Sequence, residues 1–323
     1  MILLNSGGLN KSRRQVVRVS NGVSAVSSPS SGKVLFYLVL TTFFWGGSFL
    51  FTKIGVREVP PPFFVLLRFS LAAVLMGLLC LPRLARLDRQ TVRRGTVVGL
   101  ALGVTNLTFV VGVQGTSISR AGVINNLFVL FIPLIARTVW KDRIGGINIA
   151  GIGLASLGIA LLASGGGEGF NRGDMISTLC AFFIAIHIIT VSKVLKDEDV
   201  WLVSLVQFSV VALMAAVTAL LVPTPPFSLG LTSLGTIVYC AIFPTVVCFT
   251  LQNRYQRYVT PTQAGLVYTL DPVWSLLAGF AVLGERLTLR EWYGCGLIFL
   301  AVLIPLGVRF AIERRLVARY LRY

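Results

Sequence analysis

Residues 202–222 read LVSLVQFSVVALMAAVTALLV, an apolar run without a charged side chain. A helix needs roughly 20 such residues to cross the hydrocarbon core of a bilayer, which is about 30 Å thick. Because lipid offers no hydrogen-bond partners to the backbone, the run must be helical unless the chain forms a closed barrel. Barrel strands alternate lipid-facing and lumen-facing residues, and neither this run nor residues 98–113 alternates in that way. The stretch therefore predicts a transmembrane helix.

The composition extends this prediction to the whole chain. With 55% apolar and 13% charged residues and a mean hydropathy of +0.83, the 323 residues are too apolar for one soluble core. A chain of this length has room for about ten spans. We predict an all-α integral membrane protein, with the lipid bilayer as its partner, and spans at roughly 34–54, 61–81, 95–115, 120–138, 147–164, 173–193, 200–222, 231–250, 262–283 and 292–309.

The distribution of Lys and Arg predicts the orientation of these spans. If the N-terminus lies inside, outer loops hold few basic residues, and all others except Arg68 fall in inner segments. The outer basic residues are Lys53, Arg57, Arg120, Arg172, Arg286 and Arg290. Both termini are then inside, which requires an even number of spans. The net charge of +17 is thus explained by basic residues that set the orientation of the spans. Because these residues are scattered over loops and tails, no nucleic-acid partner is expected.

Two basic tails flank the predicted spans. Residues 1–33 are Ser-rich and basic, which is typical of a disordered cytoplasmic tail, although an organelle targeting segment has a similar composition. Residues 310–323 form a second basic cytoplasmic tail. The expected location is the plasma membrane, or the inner membrane in a bacterium, with an organelle envelope as the alternative. A homodimer is compatible with the sequence, which does not decide the oligomeric state.

The chain contains an internal duplication. At an offset of 143 residues, Ala121-Gly122 matches Ala264-Gly265, and residues 151–154 match 294–297. The halves run over about 34–164 and 173–309, with five predicted spans each. Since five is odd, the second half must enter the membrane from the opposite side. Such an inverted 5+5 repeat supplies two similar end states around a midplane site, which is typical of transporters that work by alternating access.

The sequence also resembles a known family along nearly all of residues 34–309. The segments that carry the resemblance are Phe44-Trp45-Gly46-Gly47-Ser48-Phe49 with Lys53, Pro60-Pro61, Leu67-Arg68-Phe69, Thr260-Pro261-Thr262-Gln263-Ala264-Gly265, Leu270-Asp271-Pro272-Val273, Leu283-Gly284-Glu285-Arg286-Leu287 and Gly294. In order and spacing they resemble the EamA-type branch of the drug/metabolite transporter superfamily. The resemblance implies ten helices around a central cavity and transport of small metabolites, often by export. Two departures are Lys141-Asp142-Arg143 in place of Gly-Glu-Arg, and Asp271 where Glu is more usual.

Asp271 is the first candidate for a functional residue. It lies near the middle of the ninth predicted span, where an ionised group costs about 3 kcal/mol or more and usually faces a cavity. In a continuous helix, Tyr268, Pro272 and Ser275 would share its face. Pro272 has no N–H, so the carbonyl of Tyr268 should stay free to bind a solute. Asp271 is either a proton-coupling site or substrate anchor, or a carboxyl paired internally with Arg68 or a backbone donor.

Further candidates for substrate binding come from other spans. The repeat places Asn125 and Asn126 opposite Tyr268 and Thr269, at a comparable depth, where they either line the cavity or join helices. Trp45 lies inside its span and either stacks on a substrate or packs between helices. Asn106, Gln114 and Gln207 are weaker candidates. His187, the single histidine, either supports proton coupling or is a satisfied structural residue.

The expected function is secondary transport, with export, of a small metabolite such as an amino acid or related amphipathic solute, and proton coupling is its candidate driving force. The chain shows no nucleophile–base pair for an enzyme, no Gly-x-x-x-x-Gly-Lys-[Ser/Thr] loop for an ATP-driven pump, and no metal-ligand spacing among its five cysteines. We therefore expect no enzymatic activity, no cofactor and no metal. A channel or a membrane scaffold without coupled transport is the alternative.

Overall fold

The computed structural model describes residues 29–116, 118–163, 170–195, 198–283 and 288–320. All regular structure within these ranges is helical. The α-helices are α1 (Ser31–Gly55), α2 (Pro61–Cys80), α3 (Arg89–Gly115), α4 (Ile118–Asn125), α5 (Phe128–Trp140), α6 (Gly146–Ala163), α7 (Arg172–Val194), α8 (Val200–Leu221), α9 (Leu231–Cys240), α10 (Cys248–Tyr255), α11 (Pro261–Tyr268), α12 (Asp271–Leu283) and α13 (Leu289–Tyr320). A π-helical segment, Ala241–Val247, joins α9 to α10, and two 3₁₀ segments cover Leu81–Arg86 and Gln256–Tyr258.

Seven helical stretches among the described residues are long and apolar enough to cross a membrane. They are Ser31–Gly55, Pro61–Arg86, Arg89–Gly115, Arg120–Trp140, Arg172–Val194, Val200–Leu221 and Leu231–Tyr258. Gly146–Leu161 and Trp292–Pro305 are shorter apolar helices, and α11 with α12 covers the ninth predicted span. The prediction of an all-helical membrane protein is confirmed. The count of ten spans, the inverted repeat and the inside location of both termini stay predictions.

Several predicted boundaries differ from the observed ones, and the eighth span runs on to Tyr258 rather than 250. Helix α3 begins at Arg89 rather than 95, because Asp88 caps its first turn by accepting a 2.8 Å hydrogen bond from the Thr91 amide. Helix α13 continues to Tyr320, so most of the predicted tail at 310–323 is helical, as its Ala, Leu, Arg and Glu residues favour. Most of the predicted tail at 1–33, together with Gly284 to Leu287 of the family motif, lies outside the described residues.

The fourth and ninth predicted spans are not continuous helices, which corrects both predictions. The first breaks at Asn126-Leu127, between α4 and α5, and the second at Thr269-Leu270, between α11 and α12. The two breaks are 143 residues apart, the same offset that aligns Ala121-Gly122 with Ala264-Gly265. Both halves of the chain thus interrupt the same helix at the same position.

Local chemistry explains the two breaks. In the second half, Pro272 cannot donate to the carbonyl one turn earlier, and the chain turns through a 3.2 Å bond from the Leu270 amide to the Val267 carbonyl. In the first half, the side-chain amide of Asn126 donates to the Gly122 carbonyl at 2.8 Å and so competes with the helical backbone ladder. Short polar side chains and proline therefore weaken the helix at matching places.

Most buried hydrophobic residues in the described part of the chain belong to two large clusters. One contains Leu38, Phe128, Ile188, Tyr268 and Ile298, together with their neighbours from α1, α5, α7, α11 and α13. The other contains Phe64, Phe69, Leu102, Phe208 and Phe249, with neighbours from α2, α3, α8, α9 and α10. Within the packing, α2 lies along α8, α3 along α7 and α8, and α6 along α13. Trp45 of α1 packs against both clusters and lines a cavity whose walls come from each of them.

Candidate functional site

The cavity lies at the two helix breaks. It contains about 690 Å³ of space between protein atoms, counted out to its mouth. The lining residues come from α1, α2, α3, α4, α5, α7, α10, α11 and α12 and from the first break: Trp45, Ser48, Phe49, Arg68, Leu102, Thr105, Asn106, Phe109, Asn125, Asn126, Phe128, Ile184, His187, Ile188, Phe249, Gln252, Tyr268 and Asp271.

All seven residues predicted to bind substrate or couple transport line this one cavity. They are Trp45, Asn106, Asn125, Asn126, His187, Tyr268 and Asp271. Of the weaker candidates, Gln207 lies behind the lining in contact with His187, and Gln114 lies elsewhere, where its amide donates to the Val56 carbonyl at 3.4 Å. The prediction for Gln114 is wrong, because its position at the end of α3 puts it beyond the cavity.

The first helix break supplies unpartnered amide groups. Both the nitrogen and the oxygen of the Asn125 side chain are buried without a hydrogen-bond partner among the described residues. Asn126 uses its amide nitrogen on the Gly122 carbonyl, and its side-chain oxygen has no partner in the same ranges. A buried amide without partners costs free energy, so these groups are poised to bond to something in the cavity. Asn106, in contrast, donates to the Leu102 carbonyl of its own helix at 3.1 Å.

The second helix break supplies a carboxylate and a free carbonyl. Asp271 occupies the first turn of α12, is 9% exposed, and its Oδ1 has no hydrogen-bond partner in the described part of the chain. No described residue donates a hydrogen bond to the Tyr268 carbonyl, as the missing N–H of Pro272 predicts.

The break also changes which residues accompany Asp271. Tyr268 lines the cavity with it, but Pro272 and Ser275 are absent from the lining, so the predicted shared face is wrong. The face was derived from a continuous helix, and the turn at Thr269-Leu270 rotates α12 relative to α11. Residues 274 and 275 instead pack on α1, where a Cβ on Gly46 would meet the Trp274 Cβ at 2.7 Å.

Arg68 is a cavity residue that the sequence analysis placed only as a hypothetical partner of Asp271. The structure forms no salt bridge between them. The guanidinium Nε donates instead to the Thr245 hydroxyl at 2.7 Å, and Nη1 has no hydrogen-bond partner among the described residues. A buried charge inside an apolar span was the signal that could have identified Arg68, by the same reasoning that singled out Asp271. Gln252 was missed because it lies beyond the predicted end of the eighth span.

His187 is part of a buried hydrogen-bond network. Gln207 accepts a 2.7 Å bond from the Asn253 amide through its Oε1, so its own amide nitrogen faces His187 Nε2 at 3.4 Å and donates to it. His187 Nε2 is then an acceptor, and the ring is neutral with its proton on Nδ1. Phe249 contacts the ring edge to face at 5.9 Å. These contacts hold the histidine in one orientation at the cavity wall.

A second network closes one end of the cavity. The Tyr268 hydroxyl and the Gln252 amide both donate to Gln256 Oε1, at 3.0 and 2.8 Å. The amide nitrogen of Gln256 donates to the Ile188 carbonyl at 2.6 Å and to the Ser192 hydroxyl at 2.8 Å. Gln256 is fully buried, and its contacts join α7, α10 and α11.

Aromatic rings form the rest of the wall. The Trp45 indole packs edge to face on Tyr268 at 5.2 Å and tilted against Phe249 at 5.4 Å. Its Nε1 donates to the Pro244 carbonyl at 3.0 Å, in the π-helical segment. The indole therefore has a fixed orientation and presents an aromatic surface beside the polar groups of both breaks.

The long apolar helices of the described residues define a multi-pass membrane protein, and its helices enclose a cavity lined by polar and aromatic side chains. The sequence model of the EamA-like transporter family matches the chain twice, over residues 32–164 and 171–306, so the chain belongs to this family. This membership indicates a transporter.

Curated relatives carry transporter names. An uncharacterized transporter of Archaeoglobus fulgidus is 31% identical over 83% of each chain. An S-adenosylmethionine/S-adenosylhomocysteine transporter of Chlamydia muridarum is 25% identical over 85% of this chain and 90% of its own. A solved crystal structure has the same fold, with a TM-score of 0.69 and 17% identity over 84% of this chain and 96% of the other.

Proposed function

We propose that the protein is a secondary transporter that exports a small metabolite, such as an amino acid or a related amphipathic solute, by alternating access. One observation carries this proposal. Two helix breaks at equivalent positions, 143 residues apart, both contribute unpartnered polar groups to the same buried cavity. Interrupted helices that meet at a central site are a recurring way for transporters to expose polar backbone and side chains to a substrate.

The architecture in this proposal is ten membrane-crossing helices in an inverted 5+5 repeat, with both termini in the cytoplasm. Residues 34–164 and 173–309 form the two halves. The double match of the family model and the matching helix breaks support this arrangement. The proposed location is the plasma membrane, or the inner membrane in a bacterium, where the protein works in efflux.

The cavity chemistry favours a solute with both polar and apolar parts. Asn125, Asn126 and Asp271 offer donors and acceptors, and Trp45, Tyr268 and Phe249 offer aromatic surface. An amino acid combines charged groups with a side chain in this way. The Chlamydia muridarum relative is named for S-adenosylmethionine, which carries the ammonium and carboxylate groups of an amino acid, so this solute belongs in the test panel.

Asp271 is the proposed coupling residue. Asp271 lines the cavity and its Oδ1 has no hydrogen-bond partner among the described residues, so the carboxyl can take up a proton when the cavity opens to one side and release it on the other. His187 is the second coupling candidate, but its Nε2 already accepts from Gln207, which favours a fixed neutral ring.

Uptake into inside-out vesicles tests the proposal. Labelled amino acids and S-adenosylmethionine are supplied with an imposed pH gradient to vesicles containing wild type, Asp271→Asn or the control Asp199→Asn. Asp199 caps α8 from outside the cavity, and Asn can replace it there. We expect saturable, gradient-dependent accumulation that Asp271→Asn abolishes and the control retains.

Gradient-dependent accumulation by Asp271→Asn would contradict its coupling role alone. Non-saturable flux would favour a channel, and no flux of any solute would favour a scaffold.

A further inference from the structure

Two buried side chains of opposite charge line the cavity without pairing with each other. Arg68 is 2% exposed and Asp271 is 9% exposed, and no salt bridge connects them. Each keeps one terminal atom without a hydrogen-bond partner among the described residues, Nη1 of Arg68 and Oδ1 of Asp271. Buried charges in proteins are normally paired. The cavity is therefore matched to a ligand that brings one group of each charge.

A hydrogen bond to Thr245 fixes the orientation of the Arg68 side chain. Its Nε donates to the Thr245 hydroxyl at 2.7 Å, and that hydroxyl donates onward to the Cys240 carbonyl at 2.7 Å. The carbonyl is five residues earlier, in keeping with the π-helical segment Ala241–Val247, which contains Pro244. The guanidinium carbon also lies 5.2 Å from the centre of the Phe69 ring. These contacts hold one edge of the guanidinium, and Nη1 has no hydrogen-bond partner among the described residues.

Arg68 and Asp271 differ in how they can respond to burial. A carboxylate can bind a proton and become neutral, but a guanidinium stays protonated in proteins. Arg68 therefore requires an anion, and Asp271, the acidic residue of the described cavity lining, does not reach it. Arginine is also the side chain best suited to carboxylate binding, because its planar fork matches the two oxygens.

We propose that Arg68 is the carboxylate anchor of the cavity and that Asp271 binds the ammonium group of the same zwitterionic solute. This proposal rests on the proposed transport function and deepens it, because it makes a free carboxylate a requirement for binding. The apolar part of the solute then lies against the aromatic wall formed by Trp45, Phe249 and Tyr268.

Ligand analogues that lack one charge test this assignment. The probes are L-methionine, L-methioninamide, which has no carboxylate, and N-acetyl-L-methionine, which has no ammonium. Binding to the purified full chain in lipid nanodiscs is measured for wild type, Arg68→Gln, Asp271→Asn and Arg93→Gln. Arg93 is an exposed residue in the second turn of α3 and serves as the control.

We expect wild type and Arg93→Gln to bind L-methionine about tenfold or more tightly than either analogue. Each analogue lacks one charged group and therefore leaves a charged side chain of the site without a partner. Arg68→Gln should lose only the preference over the amide, and Asp271→Asn only the preference over the N-acetyl compound. If Arg68→Gln weakened the binding of all three probes equally, the role of Arg68 would be purely structural and the proposal would be overturned.

Two further results keep the assignment falsifiable. If Arg68→Gln does not fold, Arg68→Lys retains the charge and should keep the preference for L-methionine over its amide. Equal binding of L-methionine and L-methioninamide to wild type, or no binding of L-methionine at millimolar concentration, overturns the proposal. Gradient-dependent accumulation of L-methioninamide, added to the solutes of the vesicle assay, would then leave the transporter function standing.

Discussion

The hydroxyl of Tyr268 lies 3.0 Å from Gln256 Oε1 and donates a hydrogen bond to it, which ties the helix break at the cavity to the end of α10. Gln256 continues the connection to α7 through the Ile188 carbonyl and the Ser192 hydroxyl. Any state of the protein that opens this end of the cavity must break some of these bonds.

Tyr268→Phe should therefore make this end of the cavity open more often. A hydrogen bond contributes about 1 kcal/mol, which corresponds to a roughly fivefold change in an equilibrium. The measurement is the rate at which a thiol reagent labels Ile188→Cys in a background without the five native cysteines. Tyr293→Phe, at an exposed position, is the control and should leave the rate unchanged. Equal labelling rates for both variants would contradict this gate.

The contact between α3 and α7 depends on two glycines. A Cβ on Gly173 would lie 2.3 Å from the Gly115 carbonyl carbon and 2.4 Å from its oxygen, both backbone atoms. Gly173→Ala should therefore destabilise the protein by about 2 kcal/mol or more, since overpacking forces the backbones apart. Gly235 on α9 has open space around its Cβ position, so Gly235→Ala should be neutral or slightly stabilising. Thermal unfolding in detergent compares them, and similar Tm values would refute the close contact.

Lys53 connects α1 to the end of α3. Its ammonium donates to the carbonyls of Val113, Gln114 and Thr116 at 2.7, 2.9 and 2.6 Å. Charged groups near the end of a helix satisfy carbonyls that have no partner within it. Lys53→Met should lower stability by about 2 kcal/mol, a typical value for hydrogen bonds to a charged group. The neighbouring exposed Arg57→Met is the control, and a Tm equal for both variants would show that these bonds contribute nothing net.

Two buried asparagines should respond differently to truncation. Asn253 donates to the Ser204 hydroxyl at 3.1 Å and to Gln207 Oε1 at 2.7 Å, whereas neither side-chain polar atom of Asn125 has a partner among the described residues. Asn253→Ala should cost about 2 kcal/mol of stability for two lost hydrogen bonds. Asn125→Ala should leave the Tm unchanged or raise it, and should raise the KM for transport about fivefold, the equivalent of one hydrogen bond.

Transport kinetics and thermal unfolding of the two variants separate these roles. A large fall in Tm for Asn125→Ala would place that residue in the packing between helices rather than in substrate binding. An unchanged KM for Asn125→Ala, with normal folding, would exclude it from the substrate contacts.

The site could be predicted in part because its residues stand out against apolar surroundings. Asp271, Asn125 and His187 are polar groups in spans whose other residues are mostly apolar. Because a polar group inside a membrane costs free energy, the sequence alone predicts that these residues face a cavity. The same reasoning applies to Arg68, whose contact with Thr245 joins residues 177 positions apart and is invisible in the sequence. Gln252 was missed for a different reason. The helix that carries it continues beyond the apolar run from which the eighth span was predicted.

By itself, the sequence determined the helical membrane class and the duplication, because both depend on local properties: the length of apolar runs and the similarity of segments at a fixed offset. The tertiary structure decided the helix breaks, the placement of Arg68 and Asp271 in one cavity and the glycine contact between α3 and α7. The physical reason is that a helical pattern fixes which residues lie along one helix, whereas a break rotates the next helix relative to the one before it. Only the packing of distant segments then determines which side chains meet.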